Sequence, residues 1–484
     1  MCAFGPRPRD TLADARRDES AASGGEYDVC IAGGGPAGAS LARRLAQLGR
    51  RVAIAEKAVF PRRHIGESLS SGILPLLETL GLREAVESAG FVSSSWATVD
   101  WAGEQRRYQV HGGPGLLVDR ARFDALLLGA ASAMPGVCLY QPARVVRATH
   151  AGDQWTIALD TGKTIYAKYL AEASGRARVR ASSRNGALPR ARRSIGAPTL
   201  AVYAYWRGVG DCEEGDTLVE GGREAWYWGA PLPDDEFNAT VFVDPGGAVD
   251  YELLIRQSRL LGPRLRAAHR ASEIRVCDAT PFAEQAPVTS ASIKVGDAAL
   301  AIDPLSSQGV QTAIGTALHA AVVLNTMMDR PEDAELAIEF YRSRVRDSAD
   351  FHAAAAADFY QRQAAFDGGD FWRKRAPMLE PKAARGLLAP ESRIALSSHV
   401  QLAPVAVANA TYVARQDGVK AHGKAYAFVD KGIAIAPLLR EIDRPMTAFD
   451  VVRRWSRRLP AAQALQVLRW AWSEELICPE GLRA

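Results

Sequence analysis

Cysteine is scarce in this sequence: there are six in 484 residues, widely spaced and without a C-x-x-C pair. That scarcity excludes a cysteine-based zinc site and a disulfide framework, so we expect no metal and reduced thiols, as in a cytoplasmic protein. The sequence also lacks a run of about 20 apolar residues, which a membrane-spanning helix needs. Residues 1–25 contain charges and prolines but no signal-peptide hydrophobic core, and we expect them to form a mobile tail.

Charge of either sign is not in large excess, because the formal net charge is +4 over the whole chain. No basic and aromatic constellation accompanies it, so neither nucleic acid nor a membrane is an expected partner. Apolar residues make up 48% and charged residues 24%, as in ordinary globular proteins. A chain of 484 residues is long enough for two or three domains.

The first chemically informative stretch is YDVCIAGGGPAGASLARRLAQLGRRVAIAEK, which predicts a strand, a glycine turn, a helix and a second strand. Gly33, Gly35 and Gly38 form G-x-G-x-x-G, which permits a tight turn, close approach of a pyrophosphate and close helix–strand packing. Glu56 stands 18 residues beyond Gly38, where a carboxylate accepts hydrogen bonds from ribose hydroxyls. Such an acid disfavours a 2′-phosphate, so the site suits FAD or NAD better than NADP.

Two further stretches, VGDAALAIDPLSSQGVQTAIGTALHAAVVL and EASGRARVR, combine with the glycine motif into a larger pattern. Over about residues 25–330 the pattern resembles the group A flavin-dependent monooxygenases and halogenases, the para-hydroxybenzoate-hydroxylase-like flavoproteins. The resemblance implies FAD as the cofactor, with Asp297 contacting its ribityl region and the loop Pro304 to Val310, including Gly309, beside the isoalloxazine. LLVDRARFDALL resembles a family helix whose arginine contacts FAD, a place that Arg120 or Arg122 could take, and the spacing to Phe123 and Asp124 favours Arg120.

The fold implied by this resemblance is α/β: a para-hydroxybenzoate-hydroxylase-like FAD-binding Rossmann domain, a β-rich substrate domain and a helical C-terminal part. We expect the FAD-binding domain to be discontinuous, over residues 26–100, 151–195 and 275–330. Residues 101–150 and 196–274 would form the substrate domain and connecting segments, and residues 331–484 a mainly helical C-terminal domain. Because no second glycine motif indicates a separate NADPH domain, electrons must come from transiently bound NAD(P)H or from a partner flavin reductase.

Two segments are similar to one branch of the family, the flavin-dependent halogenases. FPRRHIGESLSSGILPLLETLGL resembles a segment of halogenases, their hydroxylase relatives and geranylgeranyl reductases, which implies His64 and Glu67 near the flavin. Both are candidate catalytic bases for removing a ring proton. EAWYWGAPLP carries W-x-W-x-x-P, a halogenase signature whose strand separates flavin from substrate. Trp226 and Trp228 would point to one face of that strand, because side chains alternate.

A third segment, GFVSSSWATVDWAG, departs from the halogenases where they carry a lysine that guides the halogenating oxidant. Ser93 and Ser94 stand there, and a serine has no cation. Gln308 also stands in the halide loop, where a small residue is common. These departures favour oxygen transfer over halogenation, with Ser94, Trp226 and Trp228 lining the substrate region.

The expected function is therefore that of an FAD-dependent monooxygenase, which hydroxylates an indole or phenol ring through a C4a-hydroperoxyflavin. A flavin-dependent halogenase, a reductase of the geranylgeranyl-reductase type and a non-catalytic flavoprotein chaperone are the alternatives. A narrower resemblance is to lysine-lacking maturation enzymes that hydroxylate a protein tryptophan on the way to cysteine tryptophylquinone. It implies that the aromatic substrate is a tryptophan in a partner polypeptide.

Overall fold

The computed structural model describes residues 26–110, 112–183, 186–187, 191–210, 215–376, 386–429 and 432–481, so the expected mobile tail, residues 1–25, lies outside the described part. The strands are β1 (Glu26–Ala32), β2 (Val52–Ala55), β3 (Ser68–Leu69), β4 (Val92–Ser94), β5 (Trp96–Trp101), β6 (Glu104–Gln109), β7 (Gly115–Leu117), β8 (Val137–Tyr140), β9 (Val145–Ala151), β10 (Gln154–Leu159), β11 (Thr164–Glu172), β12 (Ala181–Ser183), β13 (Gly186–Ala187), β14 (Arg192–Ser194), β15 (Leu200–Arg207), β16 (Asp216–Gly221), β17 (Trp226–Leu232), β18 (Glu236–Val243), β19 (His269–Arg270), β20 (Arg275–Asp278), β21 (Phe282–Glu284), β22 (Ser292–Lys294), β23 (Leu300–Ala301), β24 (Arg393–Leu396), β25 (Gln401–Ala408), β26 (Val413–Ala421), β27 (Lys424–Tyr426), β28 (Phe428–Val429), β29 (Ile433–Ala434), β30 (Met446–Thr447) and β31 (Ile477–Pro479). The helices are α1 (Pro36–Gln47), α2 (Ile73–Thr79), α3 (Arg83–Glu87), α4 (Arg120–Ser132), α5 (Tyr251–Gln257), α6 (Leu261–Leu265), α7 (Gly309–Asp329), α8 (Ala334–Asp367), α9 (Asp370–Arg375), α10 (Ile435–Leu439), α11 (Ala448–Trp455) and α12 (Ala461–Ser473).

A nine-stranded sheet carries the glycine turn. Its strand order is β13-β12-β9-β10-β11-β1-β2-β8, with β22 paired to β11. β1 runs parallel to both β2 and β11. The last four residues of β1 and all four of β2 are buried, so these two strands form continuous apolar runs rather than alternating ones. α1 packs between α4 and α7 over this sheet. This is the Rossmann-type α/β arrangement that the glycine motif predicts.

α1 begins and ends at residues suited to those positions. Pro36 opens the helix, where a missing N–H costs nothing, and Gly49 follows its end with φ of 78°. The alanine and leucine side chains of α1 are buried against α7 and the sheet. The glycine turn is therefore fixed between a central strand and a helix that both belong to the main core.

The second large sheet has eight strands in the order β19-β15-β18-β17-β16-β5-β6, with β20 paired to β15. One face packs on α5 and α6 through a core that includes Tyr227, Phe237 and Tyr251. The opposite face carries Trp226 and Tyr205. Because the side chains alternate along each strand, the two tryptophans of β17 share this opposite face, as predicted.

The domain boundaries stay a prediction, but two features of the fold bear on them. Within residues 101–150, β8 and β9 belong to the nine-stranded sheet and α4 packs on α1. After residue 330, the expected helices are present, α8 with 34 residues, and strands occur beside them. β25 and β26 pair although QLAPVAVA is alanine-rich, because Asn409 accepts the backbone N–H groups of Thr411 and Tyr412 and so closes a turn.

The described residues include no helix with both the length and the apolar character needed to cross a membrane.

Candidate functional site

In the glycine turn after β1, two of the three motif glycines have no space for a side chain, whereas the third has space beside it. A Cβ on Gly33, where φ is 114°, would lie 2.4 Å from the Ala173 carbonyl oxygen, and one on Gly38 would lie 1.9 Å from that of Gly33. A Cβ on Gly35 would meet only the Nη2 atom of Arg62, at 3.5 Å. The first turn of α1 has no acidic residue and no side-chain cap, so its N–H groups face that open side. This cradle fits a pyrophosphate.

Glu56 directly follows β2, beside this turn, and is 4% exposed. Its Oε2 atom accepts a hydrogen bond from the Gly34 N–H at 2.6 Å, and its Oε1 atom accepts one from the Ala58 N–H at 2.8 Å. A carboxylate has about four acceptor positions, so two remain for ribose hydroxyls. Glu56 thus also fixes the glycine turn, which its sequence position did not indicate.

Asp297 approaches the same cradle from the other side. Gly296 has φ of 60°, and a Cβ there would lie 2.8 Å from the Cβ of Ala37 in the first turn of α1. The Asp297 side chain is 39% exposed, and its Oδ2 atom is 3.7 Å from Nε of Arg176. Enclosure by protein raises the pKa of Asp297, and the charges of Arg176 and Arg120 oppose that rise. The Asp297 side chain is thus partly exposed although protein surrounds it closely, so it lines a recess. A ribityl chain would bind in this recess.

The loop before α7 borders this recess. Pro304–Ser306 form a short 3-10 turn, Ser307 has φ of 51°, and Gly309 begins the 21-residue helix α7. No side chain caps α7, its first turn has no acidic residue, and a Cβ on Gly309 would meet nothing within 4 Å. An open helix N-terminus of this kind stabilises negative charge, as on a reduced flavin.

Arg120 is buried, and most of its guanidinium N–H groups donate hydrogen bonds to other residues of the protein. Its Nε and Nη2 atoms donate to the two carboxylate oxygens of Asp124, at 2.9 and 3.1 Å. Its Nη1 atom donates to the carbonyl oxygens of Ile65, at 2.7 Å, and Gly66, at 3.3 Å. Four of the five guanidinium N–H groups are therefore occupied. The side chain holds the loop that carries His64 and Glu67, whereas the sequence predicted a contact with FAD, for which one N–H remains.

Glu67 connects that loop to the eight-stranded sheet. It is 2% exposed, and its Oε1 atom accepts from the Tyr205 hydroxyl at 2.7 Å and the Asn238 amide at 2.9 Å. Its Oε2 atom accepts from the Gly66 N–H at 2.8 Å. Burial raises the pKa of Glu67, and these hydrogen bonds oppose the rise. The predicted base is thus enclosed by protein donors and has little access to a substrate.

His64 lies on the same loop and is exposed to solvent. Its Nδ1 atom is 2.8 Å from the Ile65 carbonyl oxygen, which assigns the proton of the neutral ring to Nδ1 and leaves Nε2 as an acceptor. Although the side chain is exposed, protein atoms around the ring partly desolvate it, and this effect and, second, the charge of Arg120 lower the pKa of His64 to about 4. The imidazole is therefore neutral at physiological pH.

The two tryptophans of β17 differ in their surroundings. Trp226 is 1% exposed and stacks on Phe242, with ring centroids 3.6 Å apart and planes 8° apart. It belongs to a buried cluster with Trp372, under α8 and α9, so the structure gives a substrate no surface of Trp226 to contact. Trp228 is partly exposed and lies opposite Thr240 of β18. The predicted substrate-binding role stays open for Trp228.

β4 carries Ser93 and Ser94, the two serines that by resemblance stand where halogenases have a lysine. It pairs with β7, which also pairs with β3 directly after Glu67. Ser93 is exposed, whereas Ser94 is 5% exposed. Val92 of the same strand and Trp228 both pack against one cluster around Tyr205. The small sheet and the tryptophan face of the large sheet therefore enclose one region next to the His64–Glu67 loop.

Several residues of the site were not predicted from the sequence. Arg62 lies beside the glycine cradle, stacks over Phe60 at 4.7 Å and is 3.7 Å from Asp124. Tyr205 and Asn238 bond Glu67 from strands far along the chain. A basic pair in FPRRH was the one available indication for Arg62. The described residues contain no group of three or more metal-ligating side chains.

Comparison with known proteins agrees with this arrangement. Residues 26–192 match the FAD binding domain family. A tryptophan 2-halogenase from Chondromyces crocatus is 30% identical over 364 residues, which cover 69% of this chain and 67% of that protein. The peptidyl tryptophan dihydroxylase QhpG, essential for tryptophylquinone cofactor biogenesis, has a solved structure with 27% identity and a TM-score of 0.68, covering 93% of this chain and 100% of its own. The structure of CmlS, a flavin-dependent halogenase, shares the fold with a TM-score of 0.81 at 19% identity, over 94% of this chain and 96% of its own.

Proposed function

The chain belongs to the flavin-dependent halogenases and their monooxygenase relatives, and from this membership we propose that it hydroxylates a tryptophan side chain of a partner polypeptide. Membership of this family makes it an FAD-dependent oxidoreductase that modifies aromatic rings. The choice of hydroxylation and the choice of a protein-bound tryptophan are the proposal.

One observation carries the choice of hydroxylation. Ser93 and Ser94 occupy the strand where, by resemblance, a halogenase has its lysine, and the sequence has no lysine between Lys57 and Lys163. A serine hydroxyl cannot supply an ammonium group to guide or bind a hypohalous acid. Oxygen transfer needs no such cation. The chain has a W-x-W strand beside the region lined by β4, as the halogenase resemblance implies, but no lysine ammonium on β4.

The choice of a peptidyl tryptophan is supported by similarity along the full chain. QhpG, a peptidyl tryptophan dihydroxylase, matches 93% of this chain and is covered completely, including the part beyond the FAD-binding family. The Chondromyces crocatus relative, a tryptophan 2-halogenase, matches 69% of this chain. Both are named for reactions at tryptophan. The halogenase CmlS covers as much of this chain as QhpG does, but at 19% identity against 27%, so the support for a polypeptide substrate comes from the higher sequence identity to QhpG along the whole chain.

Different residues around the recess would bind different parts of FAD. Gly35 and the N-terminus of α1 would bind the pyrophosphate, Glu56 the ribose and Asp297 the ribityl chain. The open start of α7, at Gly309, would face the flavin ring. When bound and reduced, by NAD(P)H or by a partner flavin reductase, FAD supplies the activated oxygen.

The chain's own residues would orient the ring and receive its proton. After oxygen adds to an aromatic carbon, the ring becomes a strong acid, so a weak base is sufficient to remove the proton. His64 is neutral and exposed, with Nε2 as an acceptor, whereas the carboxylate of Glu67 is buried and held by three donors. We therefore assign proton removal to His64. Trp228 and the strand of Ser94 would position the indole and exclude water.

Mass spectrometry of the products tests this proposal. The protein, FAD, NADH and a flavin reductase are incubated with labelled O2 and either free tryptophan or tryptophan-containing polypeptides encoded beside it. We expect one or two labelled oxygens on a polypeptide tryptophan, with the same yield whether or not bromide is added. Gly35→Ala, in the FAD cradle, is the control that should abolish product. A brominated indole that forms only with added bromide would contradict the proposal and establish halogenation.

A further inference from the structure

A buried carboxylate next to the flavin-side loop is held by a tyrosine of the C-terminal helix α8. Asp303 is 8% exposed and directly precedes the turn Pro304–Ser306. The hydroxyl of Tyr360 lies 3.0 Å from its Oδ1 atom and 3.1 Å from its Oδ2 atom. Oδ1 also accepts the Leu305 N–H at 3.0 Å, which closes the turn. One carboxylate thus connects the turn to a helix outside the matched FAD-binding family, residues 26–192.

A charge in this position depends on its hydrogen bonds. Burial raises the pKa of Asp303, and the Leu305 N–H, the Tyr360 hydroxyl and the charge of Arg375 oppose that rise. Arg375 itself bonds Asp244, at 2.7 Å, and backbone carbonyls. Tyr360 is therefore the side chain that bonds Asp303 among the described residues. Losing its hydroxyl would leave the carboxylate with one backbone donor, and a buried charge with few donors is costly.

Tyr360 also adjoins the W-x-W strand. It is 3% exposed and lies in the same buried cluster as Trp226 and Trp372. The indole N–H of Trp226 lies beside the Tyr360 hydroxyl but outside hydrogen-bonding geometry. The tyrosine is therefore enclosed by the tryptophan strand on one side and the loop carboxylate on the other, with no room to adopt another orientation without moving one of them.

We propose that Tyr360 is a positioning residue for FAD: its hydroxyl fixes Asp303 and thereby the turn that leads to the open start of α7. The C-terminal helix then sets how tightly the flavin-side loop holds the cofactor. This role concerns cofactor binding alone, so it stands whether the enzyme hydroxylates or halogenates.

The test compares two buried tyrosines, of which only Tyr360 donates its hydroxyl to a carboxylate and Tyr251 donates to a backbone carbonyl. Tyr251 is 2% exposed, accepts the Trp206 indole N–H at 3.0 Å and donates to the Ala239 carbonyl at 2.9 Å, on the face of the large sheet covered by α5. Tyr360→Phe and Tyr251→Phe each remove one buried hydroxyl. FAD dissociation constants, visible circular dichroism of bound FAD and thermal unfolding of the apoprotein are measured for both.

We expect Tyr360→Phe to raise the FAD dissociation constant about tenfold and to change the visible dichroism, because a hydrogen bond to a charged group is lost. Tyr251→Phe should lower the unfolding temperature of the apoprotein while leaving both flavin measurements at wild-type values. Equal effects of the two variants on FAD, or none from Tyr360→Phe, would overturn the proposal.

A second variant covers the case in which Tyr360→Phe does not fold. Asp303→Asn keeps the acceptor for Leu305 and removes the charge that Tyr360 bonds. It should weaken FAD binding by itself, and unchanged FAD binding in Asp303→Asn would overturn the proposal. If Tyr360→Phe folds, the loss in the combined variant should be no greater than in the more severely affected single variant. Additive losses would mean that the two residues act independently, which would also overturn the proposal.

Discussion

Removing the guanidinium of Arg120 is expected to destabilise the protein because it leaves a buried carboxylate behind. Asp124 is 0% exposed, and its closest cation is Arg120, with Nε 2.9 Å from Oδ1. At an effective dielectric constant of about 20, a pair at this distance has a gross attraction of about 6 kcal/mol. Desolvation offsets part of it, and Arg62 remains 3.7 Å from Asp124. Arg120→Met should therefore cost about 3 kcal/mol, the low end for breaking a buried pair.

A double variant separates the effect of losing the ion pair from the effect of losing the hydrogen bonds that hold the Ile65–Gly66 loop. Arg120→Met with Asp124→Leu removes both charges and should recover most of the stability. It does not restore the donor that holds the carbonyls of Ile65 and Gly66, so FAD affinity should stay low in both variants. Urea unfolding of the apoprotein, followed by tryptophan fluorescence, measures the first quantity, and FAD titration measures the second. A single variant within 1 kcal/mol of wild type, or a double variant no more stable than the single, would refute this reasoning.

Three smaller predictions concern the cradle and the neighbouring loop. Gly38→Ala puts a methyl group 1.9 Å from the Gly33 carbonyl oxygen, so it should lower the unfolding temperature and abolish FAD binding. Gly35→Ala should abolish FAD binding while the apoprotein unfolds as in wild type. Equal melting temperatures of the two variants would contradict this. His64 should titrate near pH 4 in NMR spectra of the apoprotein, and a kcat inflection between about pH 6 and 8 that disappears in His64→Gln would be inconsistent with that value. Burial raises the pKa of Glu67 above its ordinary 4.5, so above that pH the folded state binds more protons than the unfolded state, and stability falls as pH rises through this window. Glu67→Gln should remove this fall in stability. Melting curves with an unchanged pH dependence would show that Glu67 is not its source.

The parts of the fold that local sequence determines were predictable. The glycine turn, α1 and the second strand follow from residues that are neighbours in the chain, and the family resemblance extends that local pattern to FAD. The bonds of Glu67 could not be predicted, because Tyr205 and Asn238 are 138 and 171 residues away along the chain. The same limit applied to Arg120. Its helical position is evident from the sequence, but its bonds to Ile65 and Gly66 depend on how the sheets pack.

The hairpin of β25 and β26 illustrates a different limit. The C-terminal part was expected to be mainly helical, and alanine favours a helix by intrinsic propensity. A single turn at Asn409 and the pairing of two strands override that propensity. Tertiary pairing of this kind leaves a weak pattern in the sequence, because many of the strand residues are only partly buried and so need not alternate strictly.

The W-x-W strand has to be interpreted together with β4. A barrier between flavin and substrate made from both indoles would need both to border the recess, but Trp226 is 1% exposed under α8 and α9. Trp228 alone is partly exposed, near the strand where serines replace the family lysine. An oxidant that must travel through the protein needs a carrier at the far end, and serine cannot act as one. The presence of the tryptophan pair is therefore explained better by packing than by transport, because Trp226 packs in one cluster with Tyr360, whose hydroxyl bonds the flavin-side loop. Under the proposed hydroxylation, the substrate ring would come close to the flavin itself.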